Sequence, residues 1–465
     1  MHSFQGWLSP LVFLCHVQWV TSKVVQFELN LTWENHEVAG ATRKMVRSNG
    51  QFPAFVDIFF LTGIEQRGTP WSDGVPGLSQ RPVPPGDQYL YKWKATYHRT
   101  HMYHAHTRSQ IDDGLHLTSE EIWQAQLASG IERSVMCQPQ DRINALTTPE
   151  QKLALGNRTY TDMGCLPPGK PVNASLTPKG FFRGCEPSQG QTEVFEVAPT
   201  SRHKSWDMLS MAGTTQLIFS IDQHPLYVSA VGGGYIEPLH VDAITIPIGT
   251  RCSVMVRLDQ PASGYTVRAA NSGANQVING TGVMTYKTST QSQKTSSQPW
   301  VTEVSTNPTA NTVFLNEKSV VHFPAEAPSL HVDQTHILKV EHAGASTSGN
   351  WSSIPAKYII TILNNTWVDL IINVATVGQP PHPIHKHSNK YCTGAFTNAS
   401  VAEAMQHIPE SFNFGNPQIR DMFPSLSATT GPSWLAIRYH VMHLRGGMAL
   451  AVLNSVDAWS HVPGL

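Results

Sequence analysis

Short β-prone runs, punctuated by turn residues, recur along most of the chain, and that rhythm constrains the fold more than any other feature. Leu217 to Ile221, Leu226 to Val231, Asp242 to Ile248, Arg251 to Leu258 and Tyr265 to Ala270 follow one another in the middle of the sequence. Tyr358 to Leu363, Trp367 to Val374, Trp434 to His440 and Met448 to Leu453 repeat the pattern later, and Val24 to Trp33, Phe55 to Leu61 and Gln88 to Thr96 earlier. Runs this short, rich in β-branched and aromatic residues, suit a half-buried pleated surface and are too brief for core helices. The turns between them draw on 34 Gly and 32 Pro. One helix is expected, from the capping-box sequence at Thr118 to Glu121 and on to about Leu127. The fold class is therefore all-β, built from Greek-key β-sandwich units.

At 465 residues the chain is too long for one core and divides into about three domains. Residues 23–117, 118–287 and 313–465 are the expected units, with a Ser/Thr/Gln-rich linker over residues 288–312. The apolar run from Trp7 to Val20 makes residues 1–22 an expected secretory signal, the alternative being a buried first strand. No later run reaches the ~20 apolar residues of a membrane span. Seven Asn-x-Ser/Thr acceptors, at Asn30, Asn157, Asn173, Asn279, Asn350, Asn364 and Asn398, point to a secreted, N-glycosylated protein, extracellular or in the cell wall. Cys15 would leave with the signal, Cys165 and Cys185 are the expected disulfide, and Cys137, Cys252 and Cys392 have no evident partner. A net charge of −1 without a basic stripe argues against nucleic acid as a partner. A monomer is expected.

Chemistry concentrates between Pro381 and His387, where His382, His385 and His387 share seven residues with Pro383, Ile384 and Lys386. On an extended strand His385 and His387 leave the same face, whereas His382, behind Pro383, is free to serve a different centre. With 22 His in the chain, chance supplies three at these fixed positions only about 0.05 times, but a bare His-x-His such as His104 and His106 about once. Imidazole suits copper, zinc and iron, so the motifs favour a transition metal over histidines that merely fill surface or core positions.

These and other segments resemble the fungal multicopper oxidases of the laccase and ascorbate-oxidase kind. The resemblance runs from Val24 to Trp459 and includes Ser48 to Pro53, Gly63 to Gln66 leading into Trp71 to Gly74, Tyr103 to His106 and Ser220 to Leu226. It continues through the three-histidine motif, Asn416 and Pro417 with Arg420 and Asp421, and His443 to Met448. It implies three cupredoxin-like domains, a blue mononuclear copper that takes electrons from a phenolic substrate, and a trinuclear copper cluster that reduces dioxygen to water. On this resemblance His382, His443 and the axial Met448 belong to the blue site. His385 belongs to the mononuclear member of the cluster, and His104, His106 and His387 to its coupled pair. Asp73 resembles a carboxylate that moves protons beside the cluster; a turn-forming Asp before Gly74 is the alternative.

The chain departs from the family at two motifs. A His-x-His-Gly expected just before Ile64 is replaced by Ile58 to Gly63, and Tyr439, His440, Val441, Met442 and His443 run straight through where a Cys flanked by two histidines belongs. Six of eleven family ligands (ten His and one Cys) remain. Family-like sequence persists to the edge of each gap, around Phe52 to Phe60, Leu115 to Thr118, Lys390 to Cys392 and Tyr439 to His443, as excised segments would leave it. The first and third domains are accordingly expected to be incomplete. The leading function is a secreted copper-dependent phenol oxidase, in fungal pigment or secondary-metabolite formation. Its rivals are an inactive cupredoxin-like protein, an incorrectly spliced product of an active gene, and a zinc site built on His385 and His387.

Overall fold

The computed structural model describes residues 24, 26, 28–38, 41–50, 64, 66, 68–75, 79–94, 103–104, 194–198, 201–210, 216–272, 281–287, 298–301, 311–340, 359–363, 365–377, 381–397, 401–428, 431–440, 445–447 and 451–454. Strands β1 (Leu31–Val38) and β2 (Ala41–Ser48) form an antiparallel hairpin. The first expected strand thus starts later than Val24, and its partner β2 was not foreseen. Residues 88–94 are not a strand, contrary to expectation. Their groups are engaged elsewhere: Tyr89 Oη donates to the Trp71 carbonyl at 3.0 Å, and Lys92 N–H to Ser72 Oγ at 2.7 Å.

The middle sandwich contains β3 (Val194–Val197), β4 (His203–Leu209), β5 (Leu217–Ile221), β6 (Leu226–Val231), β7 (Gly234–Val241), β8 (Ile244–Ile246), β9 (Arg251–Arg257), β10 (Gly264–Asn271) and β11 (Thr281–Tyr286). They form two sheets, ordered β3-β11-β10-β5-β8 and β4-β9-β6-β7. Alternation places Trp206, Val228, Val254 and Val256 of one sheet against Phe195, Phe219, Ile221 and Met284 of the other in one core. The expected strand from Asp242 shrinks to three residues. Asp242 instead exchanges hydrogen bonds with Val313, and Pro247 brings no N–H to extend the ladder.

The Ser220 to Leu226 segment is a structural turn. Asp222, fully buried, takes a two-pronged bond from Arg268 at 2.8 and 2.9 Å, and Gln223 adopts left-handed backbone. His224 is a satisfied core histidine: Nδ1–H donates to the Asp222 carbonyl at 2.8 Å and Nε2 accepts from Tyr286 Oη at 2.8 Å. Burial lowers its pKa below 6.5, with Asp222 and Asp259 opposing. A depressed histidine pKa means that the unfolded chain binds the proton more readily, so the stability that His224 contributes is present above about pH 6.5 and lost on acidification below it. The urea midpoint is expected to fall as pH drops from 7 to 5, and less steeply in His224→Gln; equal slopes would refute this.

In the C-terminal sandwich, β12 (Gln334–Val340), β13 (Ile359–Ile362), β14 (Trp367–Val374), β15 (Pro383–Thr397), β16 (Gln418–Pro424), β17 (Ser433–His440), β18 (Arg445–Gly447) and β19 (Ala451–Asn454) form sheets ordered β12-β14-β17-β15-β16 and β13-β19-β18. A short helix, α1 (Val401–His407), lies between β15 and β16. Ile362 of the smaller sheet packs with Val368, Leu370, Ile372, Phe423, Leu435 and Ile437 of the larger. Within the expected linker, Val301 is fully buried and Trp300 Nε1–H donates to the Ile221 carbonyl at 3.0 Å. The expected helix from Thr118, the Phe55 to Leu61 strand, Cys137, Cys165 and Cys185 lie outside the described residues, as do all glycosylation acceptors except the exposed Asn30. Cys252 and Cys392 are free thiols. Among the described residues no helix is long and apolar enough to cross a membrane.

Candidate metal centre

A single 3-10 turn, Pro70–Asp73, carries one end of the site. Proline stands in its first turn, where a missing N–H costs nothing, and Gly74 stops it in left-handed backbone at φ +77°. The 79–94 segment straps the turn through the Tyr89 and Lys92 bonds, and Asp73 is driven inward to 3% exposure. Its Oδ1 accepts from His387 Nδ1–H at 2.8 Å, joining residues 314 apart in sequence. Asp73 Oδ2 is buried with no hydrogen-bond partner among the described residues.

Strand β15 carries the other end. It opens at Pro383, the position in a strand where proline is tolerated. Just before it, His382 is hooked to Ser425 in both directions, its N–H donating to Ser425 Oγ and its carbonyl accepting from Ser425 N–H, each at 2.8 Å. Burial lowers the His382 pKa, favouring the neutral ring. His385 and His387 project from the same face with ring centroids 4.9 Å apart and planes tilted by 52°. His385 Nδ1–H donates to the Asp421 carbonyl at 3.0 Å.

Those two Nδ1 bonds fix both tautomers. A carbonyl and a carboxylate only accept, so in each ring's neutral form Nδ1 carries the proton and Nε2 the lone pair. Two adjacent imidazoles are thereby oriented as ligands. Lys386, between them in sequence, points to the opposite face, is 3% exposed, and stacks its Nζ over Tyr439 at 4.7 Å from the ring centroid. Burial pulls its pKa down to about 8, against the pull of Asp73. Tyr439 and the Asp421 carbonyl belong to no metal-binding pattern, so spacing along the chain does not single them out as parts of this centre.

His104 is half-buried beside the buried Tyr103. His106, His443 and Met448 lie outside the described residues, yet β18, which His443 and Met448 bracket, packs against both the Asp73 turn and β15. Among the described residues no three His, Cys, Asp or Glu side chains form a metal-holding group by themselves.

Models of multicopper oxidase domains match residues 58–118 and 144–332. Laccase abr2 of Aspergillus fumigatus is 32% identical, the match covering 94% of this chain and 95% of that protein. The chain belongs to the multicopper oxidase family. Laccase ustL of Ustilaginoidea virens is 30% identical over all of this multicopper oxidase and 92% of its own length. The fold agrees: a Botrytis aclada laccase superposes with TM-score 0.60 at 21% identity, covering 88% of this chain and 82% of its own. Fet3p, a multicopper oxidase that functions in iron import, superposes with TM-score 0.60 at 16% identity, covering 89% and 84%. The domains of this multicopper oxidase are thus cupredoxin-like β-sandwiches.

The abr2 match spans 565 aligned positions, 100 more than this chain has residues, so at least 100 positions of that relative fall in gaps of this sequence. Copper is the cofactor the family implies. The donor chemistry here fits it, because imidazole nitrogen is a ligand type copper favours and the His385 and His387 rings are each oriented by a hydrogen bond at Nδ1.

Proposed function

We propose that this chain derives from a laccase-type enzyme, secreted and N-glycosylated, that with its copper motifs restored oxidises phenolic substrates by one electron and reduces dioxygen to water in fungal pigment or secondary-metabolite formation. The observation that carries this reading is the pair of imidazoles that His385 and His387 present side by side, each ring oriented through Nδ1. His385 and His387, with His104 and His106, would hold the oxygen-reducing copper, and His382, His443 and Met448 the electron-accepting one. Bound copper supplies one-electron steps. The chain's own groups orient and protonate: Asp73 Oδ1 keeps the His387 proton on Nδ1, and its second oxygen is placed to accept a proton inside the site.

A second reading, a cupredoxin-like protein without oxidase activity, is favoured by the uninterrupted Tyr439 to His443 join. The first reading requires the imidazole pair to take up copper, whereas the second allows weak uptake or none. In a copper(II) titration of the full chain against a competing chelator, His385→Ala and His387→Ala are each expected to lose at least about tenfold in affinity, and Asp73→Asn about 10- to 100-fold. His331→Ala, at an exposed ring paired with Asp333, serves as the control and should match the parent. Uptake that is indifferent to His385 and His387 would remove the basis for the first reading. Oxygen uptake on a phenol then separates them.

A further inference from the structure

We infer that Arg251, on β9 of the middle sandwich, is a positioning residue for His385: it clamps Asp421, whose backbone carbonyl selects the ring nitrogen that His385 offers to the metal. The inference rests on the proposed role of His385 as a ligand. Strand β16 is the edge of its sheet, so only β15 holds it by a ladder. That ladder fails where it matters. His385 pairs with Met422 and Lys390 with Arg420, which leaves Asp421 opposite the irregular stretch of β15 without a register partner. What fixes Asp421 instead comes from across the domain boundary.

Arg251 Nη1 bonds both carboxylate oxygens of Asp421, at 2.8 and 3.0 Å, with the two side chains 1% and 0% exposed. Arg251 is itself held, Nη2–H donating to the Gly232 carbonyl at 3.0 Å and Nη1–H to that of Gly249 at 3.4 Å. The Asp421 carboxylate lies 3.9 Å from His385 Nδ1, beyond bonding distance, so the carbonyl at 3.0 Å is the acceptor. A shift of β16 by about an ångström breaks that bond and releases the ring to the other tautomer, with Nε2 protonated and unable to ligate. A second ion pair on β16, Arg420 with Glu317 at 2.7 Å, does not involve Asp421 and gives a control for general loosening.

The test is ring-nitrogen NMR on the full chain carrying ¹⁵N-labelled histidine, with the His385 signals assigned by their loss in His385→Gln. Arg251→Met with Asp421→Asn removes both buried charges together, so neither is left uncompensated and the fold survives. At a pH where His385 is neutral, the parent is expected to show a single Nδ1–H tautomer and the double variant a mixture of both. Glu317→Gln should keep the parental signal, and Arg251→Lys should restore part of it. Copper(II) affinity should fall 10- to 100-fold in the double variant and stay unchanged in Glu317→Gln. An unchanged tautomer in the double variant, or an equal change in Glu317→Gln, overturns the inference. If the parent takes up no copper through His385, the metal reading fails, and the tautomer comparison still decides what Arg251 does.

Discussion

Restoring to this chain the residues that belong between His440 and His443, including a Cys flanked by histidines, together with those missing before Ile64, is expected to turn a colourless protein into a blue one that consumes oxygen. The chain as it stands is expected to show neither property. A blue site needs a soft thiolate both to hold copper and to conduct the electron onward, and imidazoles do not replace it. The two described thiols are poor substitutes. Burial pushes Cys252 up to about 12 and Cys392 up to about 11, and Cys252 sits in the core of the middle sandwich. The check is visible absorption and phenol-dependent oxygen uptake after copper loading, for both forms. Oxygen uptake by the 465-residue chain that disappears in His385→Ala would falsify this expectation. Full-length transcripts that carry the direct Tyr439 to His443 join as the main form would assign the loss to the gene.

How much of this was legible in the sequence depends on how local each signal is. Leu226–Val231 and Trp367–Val374 have the bounds their alternation indicated, since burial of one face is written in neighbouring residues. The shared face of His385 and His387 was equally readable, because a period of two is a property of any strand. Strand β16 was not. Gln418, Arg420 and Asp421 look like surface residues, and they are buried only because Glu317 and Arg251, more than 100 residues away, supply their partners. The bond between Asp73 and His387 spans 314 residues, so no window along the chain could contain it. The resemblance to multicopper oxidases suggested Asp73 as a carboxylate beside the cluster; it said nothing of the strap from Tyr89 and Lys92 that turns it inward.

Gly232→Ala is expected to be among the most damaging single-methyl changes in the protein, costing about 2–5 kcal/mol, because two penalties coincide there. Its backbone is left-handed at φ +60°, which costs an L-residue about 1–2 kcal/mol wherever it occurs. The added methyl would also stand 2.4 Å from Arg420 Cβ, 3.0 Å from its Cδ and 3.2 Å from its Cγ. Cβ is not the far end of a flexible side chain, so β16 itself must give, adding the ~1–3 kcal/mol of an overpacked core. Gly86→Ala isolates the first penalty: its φ is +86° and nothing lies within 4 Å of a new Cβ. Urea unfolding should therefore give a small loss for Gly86→Ala and a clearly larger one for Gly232→Ala. Equal losses would show that the seam between the sandwiches yields freely. A double-mutant cycle adds the cause: with Arg420→Gly, which removes the clashing Cβ, the two changes should together cost less than their sum, since the clash needs both side chains. A yielding seam would be a poor frame for the Arg251 clamp, whose Nη2 donates to the Gly232 carbonyl, so copper affinity at the imidazole pair should fall in Gly232→Ala and hold in Gly86→Ala.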